Sequence, residues 1–368
     1  VKKMGILLSL LFLVGIAANA LSVCDYSAPE TALTDARLSF GYRYYDDANT
    51  PGVVDVNSGR FGADYYQLYD SPNYGFTIGA YGELELNAFV PTGWLAQGAA
   101  TFRYYPFTDG LFFAFGGLQS SMATGQLRPG VDVLMGAGLG RFSDVTPMAK
   151  SFAIEDELLD LDAISNPLTD DVLLAIAGAI GRWAEYEELQ DLVSEIEALI
   201  EGVAGVELDA RALLGIEEII LMSGDERRCG WALQAGVGYE ILDPYAGAQN
   251  IVVGISADAA FAMGPSDQLV FHASYSGPFD LMTENTLNAS LGYEYELSAE
   301  STLILDYAMQ RVNPADPALA INVSHAAGIA VGFDIAGIDI LLEVALTRET
   351  GDLGWSFDIS VSAAMDLL

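Results

Sequence analysis

The sequence predicts a mainly β fold: a transmembrane antiparallel β-barrel of about fourteen strands (range roughly twelve to sixteen) with an α-helical subdomain inserted between two of them. Three observations point there. An apolar composition coexists with extreme charge. Period-two alternation recurs over segments longer than an ordinary soluble strand. Beyond the N-terminus, no apolar run is long and uncharged enough to cross a bilayer as a helix.

The formal net charge is −36 while 52% of residues are hydrophobic, and the mean hydropathy is +0.31. A chain this apolar and this charged must keep the two surfaces apart, as a barrel with a lipid-facing exterior and a polar lumen does. The acidity excludes a nucleic-acid surface, which needs a basic patch. It also argues against electrostatic docking on anionic lipid. Val172 to Ala179 is apolar but ends before Arg182, Ile251 to Met263 is broken by Asp258, and Ile335 to Leu346 carries Asp339 and Glu343. A membrane-spanning chain must then cross with closed strands.

Residues 1–20 read as a signal peptide: Lys2-Lys3, a short apolar core from Gly5 to Ile16, and Ala18-Asn19-Ala20 as the cleavage site. Leu21-Ser22-Val23-Cys24 is a loose match to a lipoprotein box, with a bulky Val where a small residue is wanted. Residues 21–35 form an N-terminal segment, 36–142 the first part of the barrel, 143–228 the helical insertion and 229–368 the second part.

Strands are expected near 36–47, 59–69, 75–89, 94–105, 111–122 and 130–142, then 230–242, 249–261, 267–276, 285–297, 301–312, 321–334, 338–349 and 353–366. In the third, Phe76, Ile78, Ala80, Leu84 and Leu86 share one face, while Thr77, Tyr81, Glu83 and Glu85 share the other. Soluble strands usually run about 5–6 residues, and transmembrane strands need about 9–11. Tyr42, Tyr44, Tyr104, Tyr105, Tyr293, Tyr295 and Trp355 sit toward strand ends, where interfacial girdles place aromatics. In the insertion, Thr146 before Pro147 reads as a helix N-cap, with a second start at Thr169. Leu189, Leu192, Val193, Ile196, Leu199, Ile200 and Val203 give one apolar helical face. Ala175, Ile176, Ala179, Ile180 and Trp183 suit a buried middle helix. The opposite surface is acidic, from Glu155, Asp156 and Glu157 to Glu195, Glu197 and Glu201, which reads as a solvated face or a partner surface.

The inward strand faces carry Glu83, Glu85, Arg103, Asp132, Glu240, Asp258, Asp306, Asp334 and Asp358. An open lumen so lined favours cations, and a closed one needs partners such as Arg43, Arg103 and Arg141. Gly136-Ala137-Gly138-Leu139-Gly140 lacks phosphate-loop spacing and reads as small residues on a lumen face. His272 shares a polar face with Ser274 at about 7 Å along the strand, too far for direct contact. Ser324 and His325 point to opposite faces, so neither pair makes a catalytic dyad. No calcium loop or zinc spacing occurs, and no cofactor or metal is expected. Cys24 and Cys229 allow a single intramolecular disulfide.

The signal peptide, the amphipathic strands and turns such as Arg103-Tyr104-Tyr105-Pro106-Phe107-Thr108-Asp109-Gly110 resemble bacterial outer-membrane β-barrel proteins over about residues 1–142 and 229–368. The terminal Met365-Asp366-Leu367-Leu368 departs from the aromatic ending common in that group. The resemblance implies a Gram-negative outer-membrane location, with the lipid bilayer and the outer-membrane assembly machinery as partners. With termini in the periplasm, even strands end there, so the insertion after strand six is periplasmic and available to a periplasmic partner. Three activities stay open: a passive cation-preferring channel, an anchor whose helical domain binds a partner, and a barrel-rim hydrolase, with no enzyme as the expectation.

Overall fold

The computed structural model describes residues 21–28, 30–45, 56–108, 110–221, 226–247, 249–279, 284–298, 301–314, 318–334, 338–351 and 354–366. The expected signal peptide and the loop containing Pro51 lie outside them. The chain divides into two compact units, Val1–Tyr26 with Pro147–Ile220 and Ser27–Thr146 with Leu221–Leu368.

The larger unit is a closed barrel of fourteen strands, β1 (Thr31–Tyr45), β2 (Val56–Asp70), β3 (Tyr74–Asn87), β4 (Val90–Tyr104), β5 (Phe112–Ala123), β6 (Gly130–Asp144), β7 (Arg228–Leu242), β8 (Ile251–Ala262), β9 (Asp267–Pro278), β10 (Asn285–Ser298), β11 (Ser301–Asn313), β12 (Asn322–Asp334), β13 (Ile338–Glu349) and β14 (Ser356–Asp366). Each strand pairs antiparallel with its sequence neighbours, and β1 closes on β14 from Arg37↔Asp366 to Phe40↔Ala363. Closure satisfies every strand edge, which a barrel in lipid requires. Strands of 11 to 15 residues exceed the length of ordinary sheet strands.

Outward positions are apolar over long runs. Trp231, Leu233, Val237, Tyr239 and Ile241 of β7 are exposed, as are Phe357, Ile359 and Val361 of β14. Exposed apolar surface of this extent is not left in water by a soluble monomer.

The alternation placed most strands within a few residues, with instructive departures. β1 begins at Thr31, ahead of the expected residue 36, because Ala32 and Leu33 pair with Tyr69 and Leu68 of β2 despite weak local alternation. β4 begins at Val90, ahead of 94, since β3 and β4 meet in a two-residue turn. Ala88 and Phe89 both take positive φ there (50° and 62°), a primed turn lacking its usual Asn-Gly signature. Tyr105 is only 2% exposed, unlike the girdle residue expected. The Arg141 guanidinium lies 4.1 Å over its ring, and Phe113 packs edge-on at 5.7 Å. Arg141 also donates to the carbonyls of Pro72 (2.9 Å) and Thr108 (3.4 Å), stapling two turns. The β6 glycines give the inward aromatics their room. A Cβ at Gly138 would lie 2.3 Å from Phe113 Cζ and 2.7 Å from the Leu233 carbonyl.

The smaller unit holds α1 (Thr146–Asp160), α2 (Asp170–Gly181), α3 (Leu189–Ala204) and α4 (Ala210–Leu221). Ile154, Leu158, Ile176, Leu192, Ile196, Ile200, Ile216 and Ile220 are fully buried, each contributing about 1.5–3 kcal/mol. Thr146 does not cap α1. Asp144 Oδ1 accepts from the Thr146 amide at 2.9 Å, and the Thr146 hydroxyl instead accepts from the Arg227 amide at 2.9 Å. Thr169 precedes α2 without a side-chain cap bond. Asp209 caps α4 through the Arg211 and Ala212 amides at 3.0 and 2.9 Å, and α3 ends on Gly205 in the left-handed region (φ 64°). Trp183 is 40% exposed, because α2 stops at Gly181 and leaves it on the following 3-10 turn. Among the described residues no helix is long and apolar enough to cross a membrane.

Candidate functional site in the barrel lumen

Strand pleating sends alternate residues inward, and the ladder registers fix which ones share the lumen face. Following partners across the sheet, Asp64↔Tyr81↔Gln97↔Ser121 form one inward rung. Asp258↔His272↔Ser290↔Ala308 form another. The lumen-facing unit encloses a cavity of about 1090 Å³, lined by residues including Asp35, Arg37, Arg103, Asp258, His272 and Glu294. A second, of about 880 Å³, is lined by residues including Asp35, Asp64, Tyr81, Gln97 and Asp132.

The register places Glu83, Glu85, Arg103, Asp132, Glu240, Asp258, Asp306 and Asp334 on this inward face. Their surroundings differ. Glu83 accepts from the Tyr81 hydroxyl and lies 3.7 Å from Arg60 Nε. Glu85 reaches over Gly93, whose Cβ would lie 2.6 Å from its Oε2. Arg103 lies 5.6 Å over the Phe113 ring. Asp306 stands opposite Gly292 and Gly328, and a Cβ at Gly328 would come within 2.3 Å of its Oδ1. Two rungs set like charges face to face: Asp132 opposite Glu240, and Asp334 opposite Asp339. Such pairs are destabilising unless a counter-charge intervenes. Asp339 has Arg37 at 3.8 Å. The side chains of Arg43 and Asp358 lie outside the described residues.

Between these charges runs a ladder of neutral donors and acceptors. Gln234 donates to Ser256 (2.9 Å), Asn288 to Ser274 (3.4 Å), and Gln310 to Asn288 (3.0 Å). Ser274 is thus engaged away from His272. His272 Nδ1 meets Asp258 Oδ1 at 2.5 Å, a pairing that inspection of single strands missed. The signal was present in the short β8–β9 turn, which sets the register between them. His325 faces outward, its Nδ1 2.8 Å from the Tyr307 hydroxyl, and Ser324 faces inward, so no dyad forms. Among the described residues no cluster of His, Cys, Asp and Glu is arranged to hold a metal ion.

At the turn-side rim, Arg227 was not anticipated. It is 1% exposed, with its guanidinium on Glu296 Oε1 (2.5 Å) and on the carbonyls of Pro265 and Ser266 (3.3 Å each). In the turn after β4, Tyr105 donates to Asp70 at 3.4 Å, and burial holds its phenol above the ordinary tyrosine range. Cys24 and Cys229 are both disulfide-bonded.

No protein-family model matches the chain, and no curated protein matches it in sequence. Solved structures with a similar fold include a BenF-like porin from Pseudomonas fluorescens, 8% identical with a TM-score of 0.36 over 91% of this chain and 98% of that one. An anion-selective porin from Comamonas acidovorans is 8% identical with a TM-score of 0.37 over 92% and 100%. A bacterial polysaccharide outer-membrane secretin is 10% identical with a TM-score of 0.30 over 91% and 97%. At these scores they carry no argument about what this chain passes or binds.

Proposed function

We propose that the chain is an outer-membrane β-barrel that conducts small cations passively. The observation that carries it is the predominance of acid on the lumen face, above all the like-charged rung of Asp132 and Glu240. Two carboxylates held opposite one another lower their energy when a mobile cation stands between them, and a channel lined this way concentrates cations over anions. The exposed apolar exterior supports a bilayer as its surroundings.

Planar-bilayer recording tests this. Ohmic steps with a reversal potential on the cation side are expected, and silence or anion selectivity would overturn it. A second reading, an anchor whose helical unit binds a partner, draws on that unit's exposed acids such as Glu185, Glu188 and Asp191. Deleting residues 146–222 separates the two, because a channel goes on conducting without them. We also propose that Cys24 and Cys229 pair with one another. Non-reducing peptide mapping is expected to show one cross-linked pair, and two separate thiols would refute it.

A further inference from the structure

The net charge argues against contact with anionic lipid, yet the distribution of the few cations tells a different story. Strand acids point into the lumen almost without exception. On the outward face, among the described strand residues, the register places one acid, Asp267, and it lies at the turn-side rim. At the opposite, loop-side rim the outward positions of β11, β12 and β13 hold Arg311, His325 and Arg348.

Their geometry makes one patch. His325 and Arg348 are direct cross-strand partners, so their side chains stand side by side. Arg311 follows on β11, two residues beyond Met309, the partner of His325 on that side. Arg348 is exposed and has no carboxylate partner among the described residues. Arg311 is oriented by Asn285 Oδ1 at 3.0 Å. Two aromatics frame the group: Tyr307, bonded to His325, and Trp355, whose ring centre is 6.3 Å from the His325 ring. The adjacent Glu349 alternates to the inward face opposite Ser324, so it does not neutralise Arg348 within the patch.

We propose that this patch binds the headgroup of a lipid bearing a phosphate monoester. The proposal rests on the barrel spanning a bilayer. Arginine forks match phosphate oxygens in geometry, and two arginines beside an imidazole complement a dianion. Tyr307 and Trp355 sit where an amphipathic ring meets the headgroup level. The apolar outward residues of the same strands, such as Leu305 and Ile329, lie further from the rim, where the acyl chains would run.

The test uses the full chain in detergent with phosphatidylcholine, phosphatidylglycerol and phosphatidic acid at equal mole fraction, the retained lipids being identified by native mass spectrometry. Phosphatidic acid is expected to be retained in preference to the other two. Arg348→Glu should cut that preference about fivefold, the scale of one basic residue at an anionic surface, and Arg348→Lys should keep most of it. Resistance of the folded band to heat in gel electrophoresis confirms that each variant is a barrel. Equal retention of all three lipids, equal retention of phosphatidylglycerol and phosphatidic acid, or an unchanged preference in the Arg311→Glu/Arg348→Glu double variant would overturn the proposal. Conductance of the same preparations in planar bilayers is read separately, so a failed channel and a failed lipid site are told apart.

Discussion

Asp258 and His272 face each other across β8 and β9 on the lumen wall, with Oδ1 and Nδ1 2.5 Å apart. The imidazole spends one face of the Asp258 carboxylate on a fixed hydrogen bond, so that acid attracts passing ions less than an unpaired one does. Both side chains are partly exposed, and the surrounding dielectric is closer to water than to a dry core. A unit charge at about 4 Å is then worth about 1 kcal/mol, or about fivefold in relative permeability at most. His272→Ala is expected to raise the potassium-over-chloride permeability ratio, and Asp258→Asn to lower it. Reversal potentials in a potassium chloride gradient measure both, and the same ratio in both variants would count against this role.

Asp132 and Glu240 present the opposite case, two acids facing one another on one rung. Removing one charge relieves the repulsion while it weakens cation attraction. Asp132→Asn and Glu240→Gln should each stabilise the barrel by about 0.2–1 kcal/mol and also reduce cation selectivity. Urea unfolding in detergent and reversal potentials give the two readouts. A variant that loses selectivity without gaining stability would show that the rung is already neutralised within the protein.

The same contrast explains how much was legible beforehand. Period-two alternation carries strand identity and face, because an inward acid and an outward leucine differ by one residue along any strand. That is enough to place Glu83, Asp132 and Asp306 on the lumen side from sequence alone. Pairing is set by register, which depends on turns. Where a turn is short, as between β8 and β9, Asp258 and His272 were recoverable in principle. The Ala88-Phe89 turn has no composition signal, since its positive φ values are imposed by the strands on either side. Tyr105 misled for another reason. It lies just past the end of β4, where a long side chain is free to fold back over a turn, and the pleat no longer dictates its direction.

Arg227 and Glu296 form a pair that no local pattern announces, because their partners come from separate turns. Arg227 is nearly inaccessible, while Glu296 keeps some exposure (28%). Truncating the buried partner removes its bonds to the Glu296 carboxylate and to the Pro265 and Ser266 carbonyls, at a cost of about 3 kcal/mol, the lower end for a buried pair because Glu296 is partly solvated. Arg227→Ala should therefore lower the urea midpoint of the barrel. Arg227→Met combined with Glu296→Gln should recover much of the loss, since both charges are then gone. Should the single variant unfold at the wild-type midpoint, the pair contributes nothing to the barrel.

Glu155 in α1 is buried, with Oε1 accepting the Leu168 amide at 2.5 Å. Burial pushes its carboxyl above the ordinary value of 4.5, with the neighbouring Asp156 and Asp170 adding to the shift and the Leu168 amide opposing it. The folded state therefore binds this proton more tightly than the unfolded state. Its contribution to stability is complete below the unfolded value of 4.5 and is lost as pH rises through the raised folded value. Glu155→Gln keeps an oxygen for the Leu168 amide and removes the charge. The variant's helical signal should melt at a higher temperature than wild type at pH 8, while the difference shrinks or reverses at pH 4. Melting of the full chain, followed by circular dichroism at 222 nm (a helix-weighted wavelength) across that range, checks it; parallel curves for the two proteins would mean that Glu155 does not control the acid response of the bundle.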